Sequence, residues 1–290
     1  MSEYGFFDEE KNKTVGGTLY LVTTPIGNMS DITYRAVKVL SEVDFVAAED
    51  TRNSARLLRF FGITKELVSY HEHNKKSRGE EILARLQNGE SCALVTDAGT
   101  PAVSDPGEDL VRLCAESGVP VTAAPGVSAA VTALTLSALD TRRFVFEGFL
   151  PIEKAERGER LAALKAETRT TILYEAPHKL KRTLADLLSA LGDRRVSLCR
   201  ELTKLNEEVT RTTLSDAAAF YETAEPRGEY VLILEGAQTS GAENAPWASL
   251  SISEHVELYI AEGMSKTDAI KRAAKDRGVP KNVVYNEYVK

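Results

Sequence analysis

Cysteine is scarce and scattered: Cys92, Cys114 and Cys199 form no CxxC pair and sit inside apolar stretches. That excludes a disulfide framework and a structural zinc site, and predicts buried reduced thiols. No window approaches the roughly 20 uninterrupted apolar residues of a membrane span. An acidic run at 8–10, with no apolar segment behind it, argues against a secretory leader. A soluble, cytoplasmic protein is expected. Positive charge is also short, since 36 Lys and Arg against 43 Asp and Glu leave a net charge of -7. A surface built throughout to grip phosphate backbone is thereby excluded, and any nucleic-acid contact has to be local. The phosphate-cradling motifs are missing as well. Neither GxxxxGK[ST] nor a GxGxxG opening the first helix occurs, which disfavours nucleoside triphosphate and dinucleotide chemistry.

What is present is a 290-residue chain, 43% hydrophobic, long enough for two modest cores and an appendage. Residues 1–16 are polar and patternless and are expected to be a mobile lead-in. Beyond them β-rich runs at 18–23, 45–48, 67–70, 92–95 and 121–124 alternate with helical spacing at 31–42, 53–61, 78–87 and 108–117. This pattern predicts an α/β fold with a mainly parallel sheet covered on both faces. An apolar helix at 128–139 leads into a second α/β unit, with strands at 144–147, 171–174, 196–200, 208–212 and 230–235. Its helices are expected at 153–166, 178–191 and 214–221, with some antiparallel pairing. The expected domains are 17–125 and 126–236, then a turn-rich linker at 237–246 and a small helical domain at 247–290. Within that tail, residues 264–290 carry seven Lys or Arg against three Asp or Glu, a local excess of +4.

Gly, Pro and small residues gather just after predicted strands, where open α/β sheets bind ligands. The turn at 23–28 holds Pro25, Ile26 and Gly27, and by itself reads as a strand-to-helix connection. The stretch at 97–107, with Asp97, Gly99, Thr100, Pro101 and Ala102, is long and rigid for a mere turn and favours a ligand loop. A third turn, at 125–129, leads through Ser128 and Ala129. Together these suggest a cofactor held by backbone groups and small side chains. Other polar groups fall at further strand ends: Asp50 and Arg52, Tyr174 with Glu175 and His178, and Glu201 with Lys204. They serve either a shared cleft or surface ion pairs. His71 and His73 have no matching third ligand, so His71 and Asn74 read as substrate contacts, and no metal is expected.

Taken together and in order, VTTPIGN, AEDTR, SYHEHN, VTDAGTPAVSDPG, PGVSA, YEAPHK, RELTKLNEE, RGEYVL and the tail GMSKTDAIKRAAKDRGVPKNVVYNEYVK resemble one family. It is the tetrapyrrole methylase superfamily (class III methyltransferases), in its branch of 16S ribosomal RNA cytidine 2'-O-methyltransferases. Val127 and Lys179 depart slightly from the branch, where Pro and Arg are usual.

The resemblance implies two α/β domains holding S-adenosylmethionine in the cleft between them, a homodimer, and a small C-terminal helical domain. By that resemblance Pro25, Ile26, Gly27, Asp97, Gly99, Thr100, Pro101, Ala102, Ser128, Ala129 and Tyr174 line the cofactor site. The reaction it implies places a methyl group on a decoding-region cytidine ribose of the small ribosomal subunit. Asp50, Glu175, Glu201 and His178 are then candidate proton acceptors, with Arg52 or Lys204 as the cation at the reacting oxygen or a phosphate. Lys266, Lys271, Arg272 and Lys275 of the tail would contact RNA. The alternatives are a methyltransferase for a tetrapyrrole or another small substrate, and a ribosome assembly factor without turnover.

Overall fold

Most strands of the first sheet are short apolar runs, and its first two α-helices begin at side chains, Thr33 and Asp50, that cap them. The computed structural model describes residues 13–238, 247, 249–277 and 279–289. Most of the expected lead-in (1–12) and linker (239–246) lies outside the described residues. Thr14 and Val15, expected in that lead-in, are tied down. The Thr14 hydroxyl donates to Glu42 at 2.7 Å and the Val15 N–H to the Tyr20 hydroxyl at 2.8 Å. The chain divides into two compact units, Met1–Glu235 and Gly236–Lys290.

The first half of the larger unit runs β1 (Leu19–Val22), a 3₁₀ turn (Met29–Asp31), α1 (Tyr34–Glu42), β2 (Phe45–Ala48) and α2 (Thr51–Phe60). It continues with β3 (Glu66–Ser69), α3 (Lys75–Gln87), β4 (Cys92–Val95), α4 (Gly107–Glu116) and β5 (Val121–Ala124). The strands form one parallel sheet in the order β3-β2-β4-β1-β5. Alternating side chains divide its core. Leu19, Phe45, Ala47 and Leu94 pack under α3 and α4, while Tyr20, Val22, Val46 and Val95 pack under α1 and α2. The helix expected from 31 starts later, because two caps act in succession. Asn28 accepts from the Ser30 N–H to close the 3₁₀ turn, and Thr33 accepts from the Ala36 N–H to open α1.

The second half comprises α5 (Ala129–Leu136), β6 (Phe144–Phe149), α6 (Lys154–Ala166), β7 (Thr170–Glu175), α7 (Pro177–Leu191), β8 (Arg195–Arg200), β9 (Glu208–Thr213), α8 (Leu214–Thr223) and β10 (Tyr230–Leu234). Their order is β6-β7-β10-β8-β9, with β6 parallel to β7 and the other pairs antiparallel. Leucines of α6, α7 and α8 cover one face. Ala133 and Leu134 of α5 cover the other, against Ile172, Cys199, Val231 and Ile233. Strand β6 runs two residues beyond the expected 144–147, through a register shift at Gly148, whose φ of +68° suits glycine.

The smaller unit packs α9 (Ile252–Ala261), α10 (Lys266–Asp276) and α11 (Lys281–Tyr288) around Val256, Ala269, Ile270, Ala273 and Val284. Ser251 and Glu254 form a capping box at the start of α9, and Ser265 caps α10. Arg277 ties the entry to the core. Its guanidinium donates to the carbonyls of Trp247 (3.3 Å), Leu250 (2.5 Å) and Ser251 (3.0 Å) and to Nδ1 of buried His255 (2.9 Å).

Candidate active site

Strands β1 and β4 are neighbours, but the helices that follow them lie on opposite faces of the sheet. The chain therefore leaves their carboxyl ends in opposite directions, the switch-point topology at which open α/β sheets bind ligands. The two loops meet there. Thr24 and Gly99 exchange backbone hydrogen bonds of 2.9 and 3.1 Å, an isolated antiparallel bridge between the turn after β1 and the loop after β4. The loop after β5 joins them, since the Thr100 hydroxyl donates to the Val127 carbonyl at 3.4 Å and Gly126 packs against Thr23. Three of the expected loops thus converge.

The second sheet reaches the same place. The Ile26 side chain touches Gly99 and lies in the apolar cluster holding Ala129 and Tyr174. Gly27 packs on the turn after β8, and the Ser104 hydroxyl lies against the Gly148 bulge. Phe146 and Phe149 meet the Tyr174 ring edge to face, at 5.1 and 5.6 Å. Burial pushes the Tyr174 phenol up. Two parts of the site hold non-glycine residues at positive φ: Ala102 (65°) and Ser104 (59°) after β4, and Glu201 (51°) and Thr203 (66°) after β8. For β-branched Thr203 this is an uncommon conformation, of the sort that gathers at functional sites.

Several polar residues expected in the cleft prove to be engaged. Asp50 caps α2 through the Arg52 N–H (2.8 Å) and accepts from the Arg52 guanidinium (2.7 and 3.1 Å), which holds its carboxyl at about 2. Arg52 itself is 88% exposed. Asp97 accepts from the Asp50 N–H at 3.2 Å and the Asn53 amide at 3.3 Å, joining the ends of β2 and β4. Glu201 accepts from Lys204 (2.8 Å) and the Glu229 N–H (3.0 Å), and Lys204 also reaches Glu229 (2.9 Å). The Lys204 ammonium keeps the Glu201 carboxyl below the usual range.

Glu175 is not a cleft carboxylate. It is buried, accepts from the Ala176 N–H at 2.8 Å and from the Thr183 hydroxyl, and joins buried Arg157 through Thr183. Sequence could not foresee this, because it depends on packing against Thr183 of α7 and, behind it, Arg157 of α6. His178 is exposed on the first turn of α7. Asn74 fixes the turn after β3, accepting from the His71 N–H (2.8 Å) and donating to the Ser69 carbonyl (3.1 Å). Nδ1 of His71 is buried with no partner. Its ring centre is 6.0 Å from that of His73, and among the described residues no group of three or more His, Cys, Asp or Glu is arranged to hold a metal. Lys266, Lys271, Arg272 and Lys275 are exposed on α10.

One group of residues escaped the sequence reading. Asp31, Thr33, Thr132 and Thr203, with the turn at 125–127, line a broad hollow of about 600 Å³. One Asp31 carboxylate oxygen and the Thr203 hydroxyl are buried without partners. Thr203 lies within the string RELTKLNEE, but its left-handed backbone is a tertiary property that residue spacing does not encode.

A doubly covered parallel sheet joined to a mixed sheet, with loops from both meeting at a switch point, defines a two-sheet α/β enzyme. The sequence profile described as Tetrapyrrole (Corrin/Porphyrin) Methylases matches residues 18–218. The chain is 50% identical over 273 residues to Ribosomal RNA small subunit methyltransferase I of Halalkalibacterium halodurans, covering 94% of each chain. It is 46% identical over 274 residues to the protein of that name from Bacillus subtilis, again covering 94% of each. Uroporphyrin-III C-methyl transferase from Thermus thermophilus, solved complexed with S-adenyl homocysteine, shares the fold at a TM-score of 0.55 and 19% identity. That match covers 75% of this chain and 97% of the other. The chain belongs to the tetrapyrrole methylase family and, within it, to the family of ribosomal RNA small subunit methyltransferase I.

Proposed function

We propose that the chain is a cytoplasmic S-adenosylmethionine-dependent methyltransferase of small-subunit ribosomal RNA, whose acceptor is the 2'-hydroxyl of a cytidine in the decoding region of 16S ribosomal RNA. The observation that carries this reading is the Thr24–Gly99 bridge at the switch point, beside Tyr174 of the second sheet. Identity of 50% and 46% to relatives named Ribosomal RNA small subunit methyltransferase I supports small-subunit ribosomal RNA as the substrate. No described helix is long and apolar enough to cross a membrane.

The residues present fit the donor. The loops at 23–28, 97–107 and 125–129 contain no Lys or Arg, so they offer phosphate no grip and a sulfonium no repulsion. Asp50 and Asp97 supply negative charge at the ends of β2 and β4. The Tyr174 ring, flanked by Phe146 and Phe149, offers an apolar face for a flat base. S-Adenosylmethionine, when bound, supplies a methyl group on a sulfonium that leaves readily. Pro25, Ile26, Gly27, Asp97, Gly99, Thr100, Pro101, Ala102, Ser128, Ala129 and Tyr174 hold it, largely through backbone.

The chain must then align the ribose oxygen and keep water out. Ion pairing fixes Asp50 and Glu201 as charged, oriented groups, suited to holding geometry more than to taking a proton. Residues 17–125 and 126–236 act as the two catalytic domains and 247–290 as the RNA-binding domain. Its Lys266, Lys271, Arg272 and Lys275 supply the local positive charge that the chain as a whole lacks. His71 and Asn74 contact substrate from the end of β3. The active form is a homodimer, for which fully exposed Leu205 beside Lys204 offers an apolar contact.

The test is mass mapping of ribose methylation in small subunits treated with the pure protein and S-adenosylmethionine, with a porphyrinoid as the competing substrate. Methyl on a cytidine ribose is expected. Transfer only to the porphyrinoid, or donor binding without transfer, overturns the reading. Truncation after Gly236 should leave donor binding intact and sharply weaken subunit methylation.

A further inference from the structure

The hollow beside Asp31 brings together two buried polar atoms from opposite halves of the larger unit. Asp31 comes from the 3₁₀ turn after β1 and Thr203 from the strained turn after β8. A buried carboxylate oxygen or hydroxyl without a partner is costly, and a ligand N–H or O–H offsets that cost. Thr203 is held in place from behind, since its N–H donates to Glu207 at 2.6 Å and its hydroxyl lies 3.0 Å from where a Gly27 β-carbon would be. Thr33 lines the same hollow and donates to the Pro125 carbonyl at 3.4 Å.

The residues that follow Thr33 narrow the choice of ligand. Tyr34, next to Thr33 and first in α1, is 89% exposed, and Arg35 after it is exposed as well. A single exposed aromatic means little. An exposed ring and a guanidinium, in the first turn of the helix that starts beside a hollow with orphaned polar atoms, suit one ligand class. It stacks a flat base, carries a phosphate and presents hydrogen-bond donors.

We propose that this hollow is the subsite for a nucleotide of the RNA substrate, with Tyr34 stacking on a base, Arg35 meeting a phosphate, and Asp31 and Thr203 hydrogen-bonding the nucleoside. The inference rests on the methyltransferase reading above. It assigns the hollow to the RNA; the turn at 125–127 borders the donor loop as well, and the donor-affinity measurement separates the two occupants.

The experiment uses the full chain, small ribosomal subunits lacking the methyl group, and calorimetric binding of S-adenosylhomocysteine. Tyr34→Ala and Asp31→Asn should each raise KM for subunits by about tenfold, the scale of one base stack or buried hydrogen bond. Both should keep S-adenosylhomocysteine affinity within about twofold of the parent. Tyr34→Phe, which keeps the ring, should restore the parental KM. An unchanged KM in Tyr34→Ala, or donor affinity falling in parallel with subunit affinity in Asp31→Asn, overturns the assignment while leaving the methyltransferase reading intact. No methyl transfer to subunits by the parent chain removes both.

Discussion

Gly27 lies directly against Lys204, so that a β-carbon on Gly27 would stand 2.3 Å from the Lys204 Cγ and 3.2 Å from the Leu202 carbonyl oxygen. The turn after β1 thus touches the turn after β8, and the space between them has no room for one methyl group. The obstruction is the root of the lysine and the backbone behind it, and the Lys204 tip is held by Glu201 and Glu229.

Gly27→Ala should therefore push the two turns apart, at a cost of about 1–3 kcal/mol typical of overpacking. Calorimetry should find S-adenosylhomocysteine binding weakened by at least about tenfold, with a smaller drop in Tm. If donor affinity were unchanged, the Gly27 turn would not form part of the donor site.

The pairing of Asp50 with Arg52 makes a prediction about pH. Hydrogen bonds from the Arg52 side chain and N–H lower the Asp50 carboxyl from 3.8 to about 2. A carboxyl depressed on folding contributes stability that is complete above its unfolded value and fades as pH falls towards its folded one. Asp50→Asn should therefore be less stable than the parent at neutral pH, and their Tm values should converge between about pH 4 and pH 2. Because Asp50 stays ionised throughout the working range, the same substitution should leave the pH–rate profile unmoved. A displaced profile would make Asp50 the proton acceptor after all.

Much of the scaffold was legible because its signals are local. The runs at 45–48, 92–95 and 121–124 are β2, β4 and β5 to the residue, and Ser265 caps α10 as its position suggests. Parallel strands buried on both faces leave uninterrupted apolar runs, which sequence displays plainly. The polar part of the site was less legible. Glu175 looks like a strand-end acid, yet its partners Thr183 and Ala176 turn it into the core. Asp31 looks like a helix residue, yet the caps at Asn28 and Thr33 leave it in a 3₁₀ turn beside the hollow. In both cases the deciding contact comes from chain packing and not from residue type.

The buried chain from Arg157 to Glu175 predicts a stability defect. Arg157 is 6% exposed and donates to Asp186 (2.7 Å), the Pro151 carbonyl (3.2 Å) and Thr183 (2.8 Å). Arg157→Ala removes the buried guanidinium from the Pro151 carbonyl and Thr183 and leaves Asp186 with Arg182 at 3.6 Å. It should cost about 3 kcal/mol, the lower end for a broken buried pair because Asp186 keeps this second cation and some solvent. Thermal unfolding should show Tm lower by about 6–12 °C for a unit of this size. Glu175→Gln should also lower Tm, while kcat of the folded fraction at low temperature stays within about twofold of the parent. A kcat loss of a hundredfold or more would instead put Glu175 in the chemistry.

The cations of the helical unit fall into two groups that should respond differently. Arg277 is structural: it closes three carbonyls before α9, binds buried His255 and lies over the Trp247 ring at 5.7 Å. Arg277→Gln removes charge-assisted bonds worth about 1.5–3 kcal/mol each and should unfold this unit, seen as loss of near-ultraviolet dichroism from Trp247. Lys266, Lys271, Arg272 and Lys275 are exposed on α10, where Lys266 lies over the Tyr288 ring, Lys271 pairs with Asp268 and Arg272 with Asp276. Replacing Lys271 and Lys275 with Gln should leave the Trp247 signal intact and weaken small-subunit binding. It should also flatten the dependence of log affinity on log salt by about one unit for each phosphate that the variant no longer neutralises. A slope unchanged by the double substitution would mean that α10 faces away from the RNA.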